Sequence, residues 1–255
     1  GKTAVHRMDP RMKILLTIGY IVVLFMAEGV LSYVLMAGWL ALAIGISRIK
    51  PKVILKSVKP LIFIIAITGI LNMFYTPGRE LVTFWIFRIT YEGIYTAIFM
   101  IVRIVMLVTG TFLLTYTTSP ILLTDGIENL MNPLKKIHLP VHELAMMMTI
   151  ALRFIPTLIE EADKIMSAQK ARGADFESGN LFNRAKALVP LLVPLFISAF
   201  RRADELAVAM ECRCYHGGEG RTRMRQLKYG KVDAAALAIS AAMWTGVIIL
   251  GIFGL

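Results

Sequence analysis

Long apolar segments alternate with short basic segments along this chain. Five apolar runs stand out, at Ile14–Ala27, Val30–Ile46, Val58–Phe74, Ile94–Thr118 and Val232–Leu255. A helix that crosses a bilayer needs about 20 mostly apolar residues, so each run predicts one transmembrane helix. The first two runs are short, so thinning or snorkelling is expected there. The composition agrees, since 57% of the residues are hydrophobic and only 18% are charged. The pattern therefore predicts an all-α membrane protein with five transmembrane helices.

The first apolar run follows several basic residues, as the apolar part of a secretory signal would. No small-residue cleavage site follows before the next run, so we interpret the segment as a retained helix. The formal net charge is +11, and the placement of the charge predicts the topology. Two basic groups flank the early runs: Lys2, Arg7, Arg11 and Lys13, then Arg48, Lys50, Lys52, Lys56 and Lys59. Positive charge favours the cytoplasmic side, which predicts a cytoplasmic N-terminus and an external link at residues 75–91.

The segment 119–230 is too long for a loop between membrane helices, and its hydrophobic periodicity predicts a structured unit. Three helices are expected, at about Pro120–Leu134, Val141–Ala171 and Phe182–Cys212. The apolar parts of the last two, Leu144–Leu152 and Ala187–Phe200, are too short to span a bilayer, so we expect them to lie against the membrane helices. The predicted organisation is four transmembrane helices in 1–118, a cytoplasmic unit in 119–230 and a last transmembrane helix in 231–255.

Two short phrases, AQKARGADF from Ala168 and AMECRCYHG from Ala209, resemble each other. They align without a gap, so that Ala162-Asp163, Ala168 and Arg172 match Ala203-Asp204, Ala209 and Arg213. Each phrase ends one of the two long predicted helices. The similarity predicts that the two helix ends play similar parts.

Two interpretations of the arginines are open, and one does not exclude the other. Arg172 stabilises the negative end of its helix, and Gly173 supplies a left-handed cap. Alternatively, each arginine is the exposed tip of a helix that inserts into a groove of a partner, where its planar fork binds carboxylate or carbonyl oxygens. The small neighbours of both arginines permit close approach in the second case.

Other chemistry receives little support from the sequence. Cys212, Cys214 and His216 lack the fourth ligand of a usual structural zinc site. No phosphate-binding glycine loop of the form GxxxxGK[ST] occurs, so any ATP is hydrolysed by another chain. The basic residues form no stripe interleaved with aromatic side chains, which disfavours nucleic acid. Arg103 lies within the fourth apolar run and is either a functional charge or the partner of a carboxylate such as Glu28 or Glu92.

The chain resembles the transmembrane (T) components of energy-coupling factor transporters, which are ABC-type importers of vitamins and metal ions. The resemblance lies in MDPRMKILL, ITYEGIYTA, AQKARGADF and VPLFISAFRRADELAVAMECRCY, and it covers nearly the whole chain. In that family two short Ala-Arg-Gly-like motifs end long coupling helices and dock in grooves of two ABC ATPase subunits. The resemblance implies this docking role for Ala171, Arg172 and Gly173, and for Arg213 with Cys212 and Cys214, where alanine and glycine are common.

The resemblance also implies partners and the absence of catalysis in this chain. The two ATPase subunits would bind ATP and magnesium, and a separate membrane subunit would bind the substrate. No catalytic residue, cofactor or metal ligand is expected here. Two alternatives are a permease subunit that itself forms the substrate pathway of a binding-protein-dependent importer, and a membrane-embedded enzyme acting on lipid. Two docking ends in one chain argue against the first, and the scarcity of His, Asp and Glu in the apolar runs argues against the second.

Overall fold

The computed structural model describes residues 3–27, 29–84, 87–137, 139–174, 176, 180–217 and 226–252. The chain forms two units, one of Gly1–Asn129 with Gln226–Leu255 and the other of Leu130–Arg225. The elements are, in chain order, α1 (Ala4–Arg7), α2 (Pro10–Met26), α3 (Val30–Ser47), α4 (Pro51–Val58), α5 (Ile62–Tyr75), β1 (Glu80–Phe84), β2 (Phe87–Thr90), α6 (Tyr91–Thr117), α7 (Pro120–Met131), α8 (Val141–Ala171), α9 (Leu181–Glu211) and α10 (Lys231–Ile252). Short 3₁₀ turns at Lys59–Leu61 and Asn132–Ile137 continue α4 and α7.

Within the described residues, five helical segments are long and apolar enough to cross a membrane. They are Val30–Ser47, Pro51–Tyr75, Tyr91–Thr117, Val141–Ala171 and Lys231–Ile252. The prediction of an all-α membrane fold with five such helices is confirmed. The five helices differ from the predicted five in one member. α2 has 17 residues and is not among them, whereas α8 is long and apolar enough to be included. The apolar character of α8 continues beyond Leu152 through Ile155, Leu158 and Ile159, so its apolar part is longer than the sequence analysis expected.

The core of the first unit lies where α2, α3, α6 and α10 meet. Tyr20, Leu24, Met36 and Val247 are fully buried there. The ring of Tyr20 stacks on Trp39 with ring centres 5.2 Å apart, and its hydroxyl donates to the carbonyl of Met106 over 3.2 Å. These contacts fix α2 against α3 and α6.

A two-stranded antiparallel hairpin precedes α6, in the segment for which the sequence predicts only an external link. β1 and β2 pair from Glu80 opposite Thr90 to Phe84 opposite Phe87. Apart from Arg88, the residues from Val82 to Thr90 are all β-branched or aromatic, which is the local signal for these strands. Thr90 then begins α6, where its hydroxyl accepts from the N–H of Gly93 over 3.0 Å.

A cluster of charged residues joins the starts of α2 and α10. We call it the Asp9 cluster, and it consists of Asp9, Arg11, Lys13 and Asp233. Asp9 caps α2 by accepting from the N–H of Arg11 (2.9 Å), and its own N–H donates to Asp233 Oδ1 (2.9 Å). Asp233 Oδ2 accepts from the N–H of Gly230 over 2.7 Å, next to the start of α10. Lys13 Nζ donates to the carbonyl of Thr117 over 2.9 Å. The starts of α2 and α10 and the end of α6 therefore lie at one face of this unit.

The charge of Asp9 is stabilised by its neighbour. Burial acts to raise the pKa of Asp9, but hydrogen bonds from Arg11 and its positive charge outweigh burial and hold that pKa below its usual value. The guanidinium of Arg11 donates to both carboxylate oxygens, at 3.0 and 2.8 Å, and lies over the ring of Tyr229. Asp9 is therefore ionised at neutral pH, so both of its carboxylate oxygens can accept hydrogen bonds.

Arg103 contacts neutral groups near the middle of α6. Its Nε donates to the hydroxyl of Tyr33 over 2.6 Å, and Nη2 donates to the carbonyl of Ala27 over 3.1 Å, directly after the end of α2. Of the two carboxylates suggested by the sequence, Glu92 accepts from the N–H of Arg79, and Glu28 lies outside the described residues. Arg103 thus supplies positive charge to the negative end of α2.

We expect Asp233→Ala to destabilise the chain, because it leaves the N–H groups of Asp9 and Gly230 without their acceptor. The N–H of Asp9 is buried, and an unpaired buried N–H costs about 1–3 kcal/mol. The N–H of Gly230 is at an exposed residue and contributes less. Asp233→Asn keeps one carbonyl oxygen and should cost less. Thermal unfolding of the purified chain in detergent, followed by tryptophan fluorescence, measures the difference. Lys231→Ala, at an exposed position of the same helix, is the control, and equal midpoints for Asp233→Ala and this control would contradict the prediction.

Candidate functional site

The first arginine phrase lies at the end of α8 and closes the helix with a Schellman motif. The N–H of Gly173 donates to the carbonyl of Lys170, and the N–H of Ala174 donates to the carbonyl of Gln169, both over 3.0 Å. Gly173 has φ +87°, the left-handed conformation that this motif requires. Arg172 is therefore the last residue before the chain reverses, as the predicted glycine cap implied.

The second arginine phrase closes α9 in the same way. The N–H of Cys214 donates to the carbonyl of Glu211 over 2.8 Å, and the N–H of Tyr215 donates to the carbonyl of Met210 over 3.1 Å. Cys214 takes the left-handed position with φ +53°, which is uncommon for a residue other than glycine. Arg213 precedes it, as Arg172 precedes Gly173.

The two phrases are thus equivalent in backbone geometry as well as in sequence. The offset of 41 residues that aligns Arg172 with Arg213 also aligns the donors and acceptors of both Schellman bonds. The repeat seen in the sequence is a repeat of one capping structure. Helix capping and exposure of an arginine coexist at both ends, so the two interpretations of the sequence do not exclude each other.

Both helix ends are open to a partner. The six residues of the two motifs are all exposed: Ala171, Arg172, Gly173, Cys212, Arg213 and Cys214. A Cβ added at Gly173 would meet no atom within 4 Å. Each tip offers a permanently charged guanidinium with several fixed donors and no bulky neighbour in the motif. The arrangement can bind carboxylate or carbonyl oxygens in a narrow groove.

The thiols beside Arg213 form no metal centre with their neighbours in the described part of the chain. Cys212 and Cys214 are free and exposed. Among the described residues, no group of three or more His, Cys, Asp or Glu side chains lies close enough to hold a metal ion. Cys212 takes the place of Ala171 in the motif, and Cys214 takes the place of Gly173. All four residues are small.

Both long helices expose large apolar side chains. On α8 these include Leu144, Met147, Met148, Ile155 and Ile159, and on α9 they include Val189, Val193, Phe196, Ile197 and Phe200. Pro156 lies within α8, and Pro190 and Pro194 lie within α9. An apolar surface of this extent requires lipid or another protein to cover it.

A polar contact between α8 and α9 is not predicted by any pattern in the sequence. Glu161 Oε2 lies 2.6 Å from Arg202 Nη2, and the hydroxyl of Ser198 donates to Glu161 Oε1. Glu161 and Arg202 are both partly exposed, with 23% and 34% of their side-chain surfaces accessible. No motif marks this contact, because its members are 37 and 41 residues apart.

Known proteins similar to this chain point to one family. The family model CbiQ, described as a cobalt transport protein, matches residues 1–224. The energy-coupling factor transporter transmembrane protein EcfT of Thermosediminibacter oceani is 53% identical over 246 residues, which are 96% of this chain and 93% of that protein. The proteins of the same name from Ruminiclostridium cellulolyticum and Bacillus subtilis are 51% and 48% identical, over 98% and 93% of this chain and 94% and 90% of their own lengths.

The chain belongs to this family of energy-coupling factor transporter transmembrane proteins. Its membership and its five apolar helices establish a membrane protein, and the resemblance noted in the sequence is confirmed. The interpretation as a pathway-forming permease is not favoured. Family membership extends to both arginine phrases, because the matched region includes residues 171–173 and 212–214.

We expect Cys214→Gly to stabilise the last turn of α9 by about 0.5–1 kcal/mol, because glycine adopts positive φ without steric cost. Cys212→Gly should destabilise the same turn by a similar amount, since Cys212 has the right-handed helical conformation, with φ −60°. Hydrogen–deuterium exchange of the amides in 208–217 measures both effects. Exchange should slow about two- to fivefold in Cys214→Gly and accelerate in Cys212→Gly. Changes of the same sign in both variants would contradict the assignment of the left-handed cap to Cys214.

Proposed function

We propose that this chain is the coupling (T) subunit of an energy-coupling factor importer of the ABC type. In this proposal the tips of α8 and α9 dock in two ABC ATPase subunits, and the helices carry the motion of the ATPases to a separate substrate-binding membrane subunit. The observation that carries the proposal is the pair of exposed arginines held in identical helix caps. The names of the relatives, energy-coupling factor transporter transmembrane proteins, support it.

Docking of each tip relies on the chemistry of arginine. The fork of Arg172 or Arg213 donates several hydrogen bonds at once to carboxylate or carbonyl oxygens of a groove, and such charge-assisted bonds are strong and directional. The small residues Ala171, Gly173, Cys212 and Cys214 let the groove walls approach the backbone. Two equivalent tips suit two ATPase subunits, one tip for each.

Transmission of motion relies on the length of the two helices. α8 and α9 have 31 residues each, which corresponds to about 46 Å at 1.5 Å per residue. In the proposal their exposed apolar faces hold the substrate-binding subunit. A displacement of one tip by an ATPase subunit then moves surface that the substrate-binding subunit contacts, without any chemistry in this chain.

The proposed topology places the N-terminus and residues 119–230 in the cytoplasm. The basic residues before α2 and between α3 and α5 favour this side. The Asp9 cluster supports it, because it gathers the start of α2, the end of α6 and the start of α10 at one face. The chain would then leave the membrane after α6 and re-enter it at α10 on the same side.

The proposed division of labour assigns ATP and magnesium to the ATPase subunits, and no cofactor, metal or catalytic residue to this chain. Cargo selection belongs to the substrate-binding subunit, with vitamins or metal ions as the cargo class. The complex would contain one copy of this chain per two ATPases, identical or different. A pathway-forming permease would instead work as a pair, so native mass spectrometry of the purified complex distinguishes the two arrangements.

We expect Arg172→Ala and Arg213→Ala each to weaken the binding of the ATPase subunits by about tenfold or more, because each removes the central donor group of one docking site. The double variant should lose the ATPases almost completely, since neither site then remains. The measurement is copurification of the coexpressed ATPases with the tagged full-length chain, followed by their titration against the purified chain.

The lysine variants at the same positions test the role of the arginine fork. Arg172→Lys and Arg213→Lys keep the charge but lose the planar set of donors, so binding should be recovered only in part. Arg201→Ala, at an exposed position of α9 away from the tip, controls for a general loss of positive charge. A double alanine variant that retains the ATPases as well as Arg201→Ala does would disprove docking through these tips.

A further inference from the structure

The 41-residue offset that aligns the two tips also aligns a set of charges of opposite sign. Glu160-Glu161-Ala162-Asp163-Lys164 on α8 corresponds to Arg201-Arg202-Ala203-Asp204-Glu205 on α9. The alanine and the aspartate are identical in the two segments, whereas the other three positions carry opposite charges. The two helices are therefore similar in sequence but complementary in charge at this level.

The same offset relates the covered faces of the two helices. Five half-buried positions of α8 have half-buried equivalents on α9: Phe154, Leu158, Glu161, Ile165 and Gln169 correspond to Leu195, Ala199, Arg202, Leu206 and Met210. Their spacing of three or four residues places each set on one face of its helix. The covered faces of the two helices therefore coincide at these five positions.

Glu161 and Arg202 are equivalent positions that contact each other. Their ion pair is 2.6 Å long, and Glu161 also accepts the hydroxyl of Ser198. When two similar elements meet across a local two-fold axis, each residue on the axis faces its own equivalent. Like charges there would repel, and the reversal of sign turns the contact into an ion pair. A contact between equivalent residues is the geometry that such an axis produces, and Glu161 with Arg202 is one contact of this kind between α8 and α9.

This contact is equally distant from both helix tips. Arg172 follows Glu161 by eleven residues, and Arg213 follows Arg202 by eleven residues. Each interval corresponds to about 16 Å of helix. Beyond the contact both helices run to exposed ends, so a rotation at the contact displaces the two arginines by equal amounts.

We propose that Glu161 and Arg202 are positioning residues that form the pivot between α8 and α9 and set the separation of Arg172 and Arg213. Their effect on ATPase binding rests on the proposed docking function, but their effect on the separation of the tips does not. The pair is partly exposed, so its effect on overall stability is small. Its role is geometric: it holds two sites at the spacing that two linked grooves require.

Pulsed electron paramagnetic resonance tests the pivot in the full-length chain in lipid nanodiscs. Spin labels go on the equivalent residues Cys212 and Ala171→Cys, in a background with Cys214→Gly. A single narrow distance distribution is expected in this background. Glu161→Arg or Arg202→Glu should broaden or shift it, because like charges then meet, and the double reversal Glu161→Arg with Arg202→Glu should restore it. A distribution unchanged by either single reversal, or not restored by the double reversal, would overturn the proposal.

Matched variants separate the pivot from general effects of charge. Glu160→Arg and Arg201→Glu make the same changes one residue away, at exposed equivalent positions, and should leave the distribution unchanged. Broadening by these controls equal to that of the pivot variants would also overturn the proposal. Glu161→Gln covers the case in which a reversed variant fails to fold, because it keeps an acceptor for Ser198 and removes only the charge. It should broaden the distribution less than Glu161→Arg, and no change would count against the pivot.

Titration of the ATPases against the unlabelled chain gives a separate readout. A single reversal at the pivot should weaken their binding by about tenfold, through loss of simultaneous engagement of both tips, and the double reversal should restore it. If Arg172→Ala with Arg213→Ala leaves binding intact, the docking function fails, and the distance measurements still decide the pivot. If the distances respond at the pivot but binding does not, tip separation does not control docking, and that part of the proposal is wrong.

Discussion

The position of both exposed arginines depends on the backbone hydrogen bonds that close their helices. The bonds from Gly173 and Ala174, and those from Cys214 and Tyr215, require one residue with positive φ at the same place in each cap. Gly173 adopts that conformation without steric cost, whereas Cys214 does so at a cost. Without the closing bonds the last turn frays, and the arginine loses its fixed direction. The geometry of each tip is therefore set mainly by backbone conformation, which leaves the guanidinium available to a partner.

Charged side chains in the first unit also lie where backbone groups need hydrogen-bond partners. Asp9 and Asp233 accept N–H groups at or beside the starts of α2 and α10, and Lys13 and Arg103 donate to carbonyls at the ends of α6 and α2. In a nonpolar environment an unpaired N–H or carbonyl costs several kcal/mol. Each of these side chains therefore supplies a hydrogen-bond partner to a backbone group at the end of a helix. Charged residues therefore fix the helices of this unit at their ends, while apolar contacts around Tyr20 and Met36 fill the middle. The tips of the second unit follow the opposite rule, because there the charges remain exposed.

Local signals in the sequence predicted the long helices well, and contacts between distant residues account for what was missed. The start at Val141 after a proline and the end before Arg172-Gly173 gave the bounds of α8 correctly, and those of α9 to within one residue. The hairpin of β1 and β2 is not among the predictions although its residues favour strands, because the charge pattern identifies the segment only as an external link. The partners of Arg103 could not be chosen, since Tyr33 and Ala27 are neutral groups with no charge pattern to mark them. The docking role of the tips stays a prediction from the sequence.

The contact between Glu161 and Arg202 explains an advantage of carrying both helices in one chain. Two copies of a single helix in a symmetric dimer would place Glu161 against another Glu161, or Arg202 against another Arg202, and either contact would be repulsive. Duplication within one polypeptide lets the two copies differ at the contact while the tips keep the same cap and the same arginine. The two helices share the cap and the arginine at their proposed docking tips, and they carry opposite charges where they contact each other. Sequence similarity concentrated at the tips, with charge reversal eleven residues before them, is the pattern that this division produces.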